Sequence, residues 1–353
     1  MRLTRTALRA MALSWLNKRR RVAIRAALAG IAVPAVAVFA AAVAHASADN
    51  PTSAVPHDTS AATESDAPVS SIVASPSSGA PITLRDDLGR PITLAAPARH
   101  AITAAPHATE LVYAAGAGAF LAGRAQGSDY PSDAQAIPSI GTALRPNLEI
   151  AMALQPDLLI AWQPVVPDPL ANLMQRLEVP VFYSDPRTLA AIPGAIETMG
   201  RLFGTEQQAR AMARSLQARL ETLSSRYSQR PPVRVFIQAG LQPIYTLNDR
   251  SIISDAVRLC GGINVFGDVA ALAPQLSLES VLAAQPEAVI AGAIDTDEAR
   301  LTLQTWQQRG LPAAQHGHVY SLNQDALYRP GPRLIDVAEQ LCKNLDQVRK
   351  SAH

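Results

Sequence analysis

The sequence predicts an α/β protein of two similar lobes, each built on a central, mostly parallel sheet, joined by one long helix. Three observations predict it. A pattern at Asn147 to Trp162 (NLEIAMALQPDLLIAW) returns at Ser277 to Gly292 (SLESVLAAQPEAVIAG), offset by 130 residues and alignable without a gap. Each copy reads as a helix stopped near a Gln-Pro pair and followed by a short apolar run, one helix-to-buried-strand step of an α/β wind. Between the copies, Ala209, Met212, Ala213, Leu216, Leu220, Leu223 and Tyr227 fall three and four apart, the stripe of an amphipathic helix over Thr205 to Tyr227. At 1.5 Å per residue such a helix is about 35 Å long, enough to cross a lobe.

The chain begins with a basic leader. Its first 46 residues hold eight Lys or Arg and no acidic residue. Lys18, Arg19, Arg20, Arg21 and Arg25 lead into the apolar run Ala26 to Ala44, and Ala44-His45-Ala46 fits a small-residue cleavage site. Residues 1–46 therefore read as a signal peptide cleaved near Ala46, giving an exported protein. A retained anchor is the alternative, because the run is about long enough to span a bilayer. Its alanine content, Pro34 and its small-residue ending favour cleavage, which leaves a mature chain not inserted in the membrane. No Cys stands at the cleavage site to carry a lipid. Beyond the leader, 23 basic residues face 29 acidic ones, a net charge of −6 with His neutral. That balance argues against nucleic acid as a partner. Ser47 to Ala80, rich in Ser, Ala and Pro and free of Lys and Arg, reads as a disordered linker.

The folded part is expected as an N-terminal lobe over 81–203, the inter-lobe helix over 204–230 and a C-terminal lobe over 231–350. Ile82-Thr83-Leu84 and Ile92-Thr93-Leu94, around Asp86, Asp87 and Gly89, predict a hairpin. Ala98 to Ala105 predicts a strand, Pro106-His107 a loop, and Thr109 to Tyr113 the start of a helix ending at Gly116. Gly127-Ser128-Asp129-Tyr130-Pro131 predicts a turn-rich loop. In the repeat, Asn147 and Ser277 are N-caps, Glu149 and Glu279 sit in the first turns, and Pro156 and Pro286 are the stops. Thr205 with Gln208 predicts a capping box for the long helix, and Pro231-Pro232 ends its region. Val233 to Gln238 and Val319 to Leu322 predict strands, and Ser251 to Leu259 and Arg333 to Leu345 helices.

Cys260 and Cys342 are the only cysteines. In an exported chain an isolated pair favours a disulfide over two thiols, and two cysteines without suitably spaced histidines do not make a zinc site. Catalysis has no support: there is no G-x-S-x-G, no H-E-x-x-H and no P-loop, and Asp129 beside Tyr130 is no catalytic constellation. Two similar α/β lobes put a ligand in the cleft between them, near the strand ends. Glu149 and Glu279 at equivalent places suit docking onto a two-fold symmetric partner; the plain alternative is a first-turn carboxylate that complements the helix dipole.

The run His100 to Glu110, the loop Ser128-Asp129-Tyr130-Pro131, the repeat copy ending Ile160-Ala161-Trp162, and Arg234 to Gln238 carry a resemblance by their order and spacing. Together they resemble the periplasmic vitamin B12-binding proteins of ABC importers, within the class III, helical-backbone substrate-binding proteins that also include haem and ferric-siderophore carriers. The resemblance extends from about Arg99 to Val348. It implies a rigid connecting helix, a corrinoid in the cleft, no cofactor, and a monomeric carrier whose partners are an ABC permease and its ATPase subunits. It also implies a Cys260–Cys342 disulfide and pairing of Glu149 and Glu279 with permease arginines.

For the ligand it implies Tyr130 and Trp162 as cleft aromatics, suited to a broad amphipathic ring. Core packing is the alternative for Trp162. Tyr245, in Gln242-Pro243-Ile244-Tyr245, is expected to face the cleft from the second lobe, and Arg329 and Arg333, flanking Pro330-Gly331-Pro332, stand where the family has cleft-side residues. Ala143, Ala273 and Ala326 stand where the family has cleft tryptophans, so a different corrinoid or another macrocycle stays open. His107, a loop histidine at the lobe rim, joins the ligand set; with Tyr130 it keeps open a haem carrier of the same fold, since His or Tyr ligates haem iron. His316-Gly317-His318 reads as a surface turn.

Overall fold

The computed structural model describes residues 80–164 and 168–351. The expected signal peptide, and all of the expected linker except Ala80, lie outside the described residues.

The N-terminal lobe opens with the hairpin β1 (Ile82–Arg85) and β2 (Pro91–Leu94), paired antiparallel as the sequence predicts. It continues through β3 (Ala101–Thr103), α1 (Pro106–Ala114), β4 (Leu121–Arg124), the ribbon β5 (Gly141–Thr142) and β6 (Arg145–Pro146), α2 (Leu148–Ala153), β7 (Leu158–Ala161), α3 (Pro169–Arg176), β8 (Val181–Tyr183) and α4 (Ala191–Phe203). The long helix α5 (Glu206–Tyr227) leads into the C-terminal lobe. There follow β9 (Val233–Gln238), the ribbon β10 (Gly240–Leu241) and β11 (Ile244–Tyr245), α6 (Ile252–Leu259), β12 (Gly262–Asn264), α7 (Leu278–Ala283), β13 (Ala288–Ala293), α8 (Thr296–Gln308), α9 (Pro312–Gln315), β14 (Val319–Asn323), α10 (Gln324–Tyr328) and α11 (Arg333–Ser351).

The main sheets run β4-β3-β7-β8 and β12-β9-β13-β14, with every pairing parallel. Both read second, first, third, fourth strand. The internal repeat of the sequence is thus a repeat of topology. The strands are unbroken apolar runs because helices cover both faces of each sheet. Leu158 and Ile160 pack into one core cluster while Leu159 and Ala161 pack into another with Leu170 and Met174. Val235 and Ile237 against Phe236 repeat the division in the second lobe.

One buried cluster runs through both lobes. It includes Phe182 and Met199 of the first, Ala209, Leu216, Leu220, Leu223 and Tyr227 of α5, and Val235, Leu341 and Leu345 of the second. Helix α5 therefore contributes its apolar face to a core shared by the lobes, while its other faces stay exposed. Met212, placed on its apolar stripe by spacing, is 40% exposed. The capping box does not form. Gly204, left-handed at φ 71°, turns the chain straight from α4 into α5, and Thr205, at φ −115° and ψ 33°, makes no side-chain cap hydrogen bond. Its buried Oγ1 has no partner among the described residues.

Both repeat caps form: Asn147 Oδ1 accepts from Ile150 N at 3.0 Å, and Ser277 Oγ from Ser280 N at 3.1 Å. The helices end at Ala153 and Ala283, earlier than the prolines alone would require. The stop is the residue before each proline, for Gln155 and Gln285 are left-handed at φ 46° and 44°. A following proline disfavours the right-handed helical region for the residue before it. The next residue in each copy has a role that the sequence did not reveal. Asp157 accepts from Arg99 N at 2.6 Å and from His100 N at 3.0 Å, and Glu287 from Arg234 N at 2.8 Å. In each lobe this acid ties the chain entering the third strand to that entering the first.

Strand β3 is shorter than predicted, and α1 starts at Pro106 rather than near Thr109, because proline at a first helical position leaves no hydrogen bond unmade. No helix among the described residues is long and apolar enough to cross a membrane.

Cys260, at the end of α6, and Cys342, within α11, form a disulfide, and both residues are fully buried. It closes a loop of 82 residues in sequence separation. Reducing it in purified protein is expected to lower unfolding stability by about 2–5 kcal/mol. Thermal melts with and without reductant, alongside intact mass of the native chain, check this; two freely alkylated thiols in the native protein would overturn it.

Candidate functional site

The chain leaves each parallel strand of the first lobe at one edge of the sheet, and each exit carries a distinctive side chain. In sheet order these are Tyr130 beyond β4, His107 beyond β3, Trp162 beyond β7 and Asp185 beyond β8. Tyr130, before a cis Pro131, is 46% exposed, and Trp162 is 41% exposed.

Two elements of the second lobe meet this edge. The Arg333 guanidinium lies 4.0 Å from the centre of the Tyr130 ring. Its Nε donates to Glu110 Oε2 at 3.0 Å and its Nη2 to Glu110 Oε1 at 2.6 Å, a two-pronged bond across 223 residues of sequence. Arg329 Nη1 lies 3.5 Å from Glu110 Oε1 and 3.0 Å from Asp129 Oδ1, while its Nη2 is 2.8 Å from Asp325 Oδ1. The Glu110 side chain is only 2% exposed. Close approach is possible because Gly331 has no side chain: a Cβ there would sit 3.3 Å from Glu110 Oε2. Burial works to raise the Asp129 carboxyl, but the hydrogen bond and charge of Arg329 outweigh it and hold the pKa below the usual carboxylate range.

Around Trp162 the contacts lie within the first lobe. Its Nε1 donates to Asp185 Oδ1 at 2.7 Å, and its ring meets that of His107 edge to face at 5.6 Å. His107 is neither in a loop nor at a solvated rim. It lies in the first turn of α1, 2% exposed, with Nε2 donating to the Ser184 carbonyl at 3.0 Å. Burial lowers its pKa to about 4, so the imidazole is neutral near neutral pH. Desolvation pushes Asp185 up, yet hydrogen bonds from Trp162, Arg187 and Gln163 win and its carboxyl is held low.

Tyr245 is half-buried on β11, its ring beside Gly240. Glu149 and Glu279 are exposed in the first turns of the equivalent helices α2 and α7. Hydrogen bonds from its own backbone N–H and the Ser277 hydroxyl lower the pKa of Glu279. Ala143 and Ala273 are exposed, whereas Ala326 is buried in α10 and offers no cleft surface. Among the described residues, no group of three or more His, Cys, Asp or Glu could hold a metal ion.

Sequence reasoning missed Glu110, Asp129 and Asp185 as participants. Glu110 had a signal: it is the only charged residue between Ala101 and Gly123. A lone charge in an apolar stretch needs a partner from elsewhere in the chain.

The family model described as periplasmic binding protein matches residues 102–326. The vitamin B12-binding protein of Vibrio parahaemolyticus is 34% identical over 245 residues, covering 69% of this chain and 88% of that protein. Its counterpart in Pectobacterium atrosepticum is 35% identical over 250 residues, covering 69% and 87%. The crystal structure of the periplasmic vitamin B12-binding protein of Vibrio cholerae matches with a TM-score of 0.64 at 34% identity, over 72% of this chain and 99% of that one. The haem-binding protein of the same organism matches with a TM-score of 0.63 at 20% identity, over 70% and 98%, a likeness of fold alone.

Glu110→Ala is expected to cost about 3–5 kcal/mol of unfolding free energy, since it leaves two largely buried guanidiniums without their shared carboxylate. Asp129→Ala, removing a half-exposed carboxylate, should cost less than about 1 kcal/mol. Denaturant melts of the two variants check the difference; equal losses would show that the link is not the stronger contact.

Proposed function

This chain belongs to the periplasmic binding protein family, and we propose that it captures a corrinoid in the inter-lobe cleft and delivers it to an ABC permease served by ATPase subunits. The observation that carries the reading is the pair of part-exposed rings, Tyr130 and Trp162, flanking the β3 exit in a chain a third identical to proteins named for vitamin B12 binding. A corrinoid is a broad ring with an apolar face and an amide rim, which calls for aromatic surface with a few polar groups. Tyr130 and Trp162 supply the surface. Arg329 and Tyr245 supply the second lobe's side of the cleft, and His107 supports Trp162 from beneath.

A haem carrier has less support. The His107 Nε2 is occupied by the Ser184 carbonyl and the residue is 2% exposed, so it is not poised to ligate iron. Mixing the purified protein with cyanocobalamin or with haemin, followed by desalting, tests the reading. Cobalamin absorbance is expected to stay with the protein at one equivalent; a retained Soret band with no cobalamin would overturn the corrinoid assignment.

Glu149 and Glu279 are the docking carboxylates in this reading, one on each lobe, exposed at matching helix starts where each can enter a basic pocket of a two-fold permease. Reversing either to Lys is expected to weaken docking and uptake while leaving ligand affinity unchanged, and the double reversal to abolish uptake. Uptake assays in cells and ligand titrations of the purified variants check this. Normal uptake by both single variants, or loss of ligand binding by both, would remove the docking role.

A further inference from the structure

Trp162 projects from the end of β7 into solvent, yet two groups hold its ring. Asp185 accepts the indole N–H at 2.7 Å, and the His107 ring meets the indole edge to face. Each of these groups is itself fixed. Asp185 is 9% exposed, and its second oxygen accepts from Gln163 Nε2 at 3.2 Å and Arg187 Nε at 2.8 Å. The backbone N–H of Asp185 donates to Asp87 Oδ2 at 2.6 Å, which ties it to the turn of the β1–β2 hairpin. His107 is held by the carbonyl of Ser184, the residue just before Asp185. The end of β8 therefore grips one indole twice, directly through a carboxylate and indirectly through an imidazole.

A free surface tryptophan samples several rotamers, and ligand capture must then freeze it. Freezing one such side chain lowers affinity by about two- to twelve-fold. A ring already held in place while 41% exposed avoids that loss. We propose that Asp185 is a positioning residue for ligand capture, fixing the Trp162 indole before the ligand arrives in the orientation that the ligand meets. The inference rests on Trp162 being a ligand face. Asp185 itself does not touch the ligand.

The test uses the full chain in a Trp15→Phe background. Trp306 is fully buried, so the acrylamide-quenchable emission of the folded protein comes from Trp162. In the ligand-free protein, Asp185→Ala is expected to raise the quenching constant and lower the emission anisotropy. Asp185→Asn, which keeps an oxygen acceptor, should restore both. Cyanocobalamin affinity should fall about two- to twelve-fold in Asp185→Ala and recover in Asp185→Asn. Trp162→Phe removes the indole N–H, so adding Asp185→Ala to it should cause no further loss.

Unchanged quenching and anisotropy in Asp185→Ala would overturn the proposal, as would an affinity loss that persists in full on the Trp162→Phe background. The second outcome would mean that Asp185 acts through the loop, not through Trp162. If the unaltered chain does not retain cyanocobalamin, the corrinoid reading fails, while quenching and anisotropy still decide whether Asp185 fixes the ring.

Discussion

The structure depends on where one carboxylate is placed. Glu110 stands on α1 of the first lobe, nearly out of water, and its charge is met by Arg333 and Arg329 of the second. A buried carboxylate left alone is costly, and parting the lobes would leave it so. The pair thus fixes the distance between α1 and the start of α11. It also fixes how far Tyr130 stands from the second lobe, because Arg333 carries both the bond to Glu110 and the contact with the tyrosine ring. With the apolar face of α5 also packed into a core common to both lobes, the lobes are joined at two separate places.

The repeat was legible in the sequence because its signals are local. A cap residue, a first-turn acid and a Gln-Pro stop act within a few residues of one another, and each took the predicted place apart from the position of the stop. Exposure of Glu149 and Glu279 follows from the same register. The long helix was legible from spacing, although Met212 shows that a stripe drawn from period alone is wider than the face that packs. The site was less legible. The partners of Glu110 lie more than 200 residues away, and Asp185 is defined by an indole from the neighbouring strand. His107 was misplaced for a local reason: a proline that opens a helix looks, in sequence, like one that interrupts the chain.

The two lobes share a topology but not a perimeter. Beside β8, the hairpin turn of β1 and β2 donates Asp87 N to Tyr183 O at 3.0 Å and lays Arg90 over the Tyr183 ring. This contact supports Asp185, so the hairpin belongs to the strand-end arrangement as well as to the core through Leu84, Ile92 and Leu94.

The common core also bears on the order of events in folding. Helix α11 is the last described element, yet it supplies Leu334, Ile335, Ala338, Leu341, Leu345 and Val348 to the cluster that also packs Leu84 and Ala101 from the beginning of the fold. Contacts between the two ends of a chain are slow to form, because a long loop must close before they return any free energy. Until α11 is in place, the shared cluster lacks these six residues. Completion of the cluster waits for α11, and until then the part of α5 that α11 covers stays open to water and to whatever else would cover it.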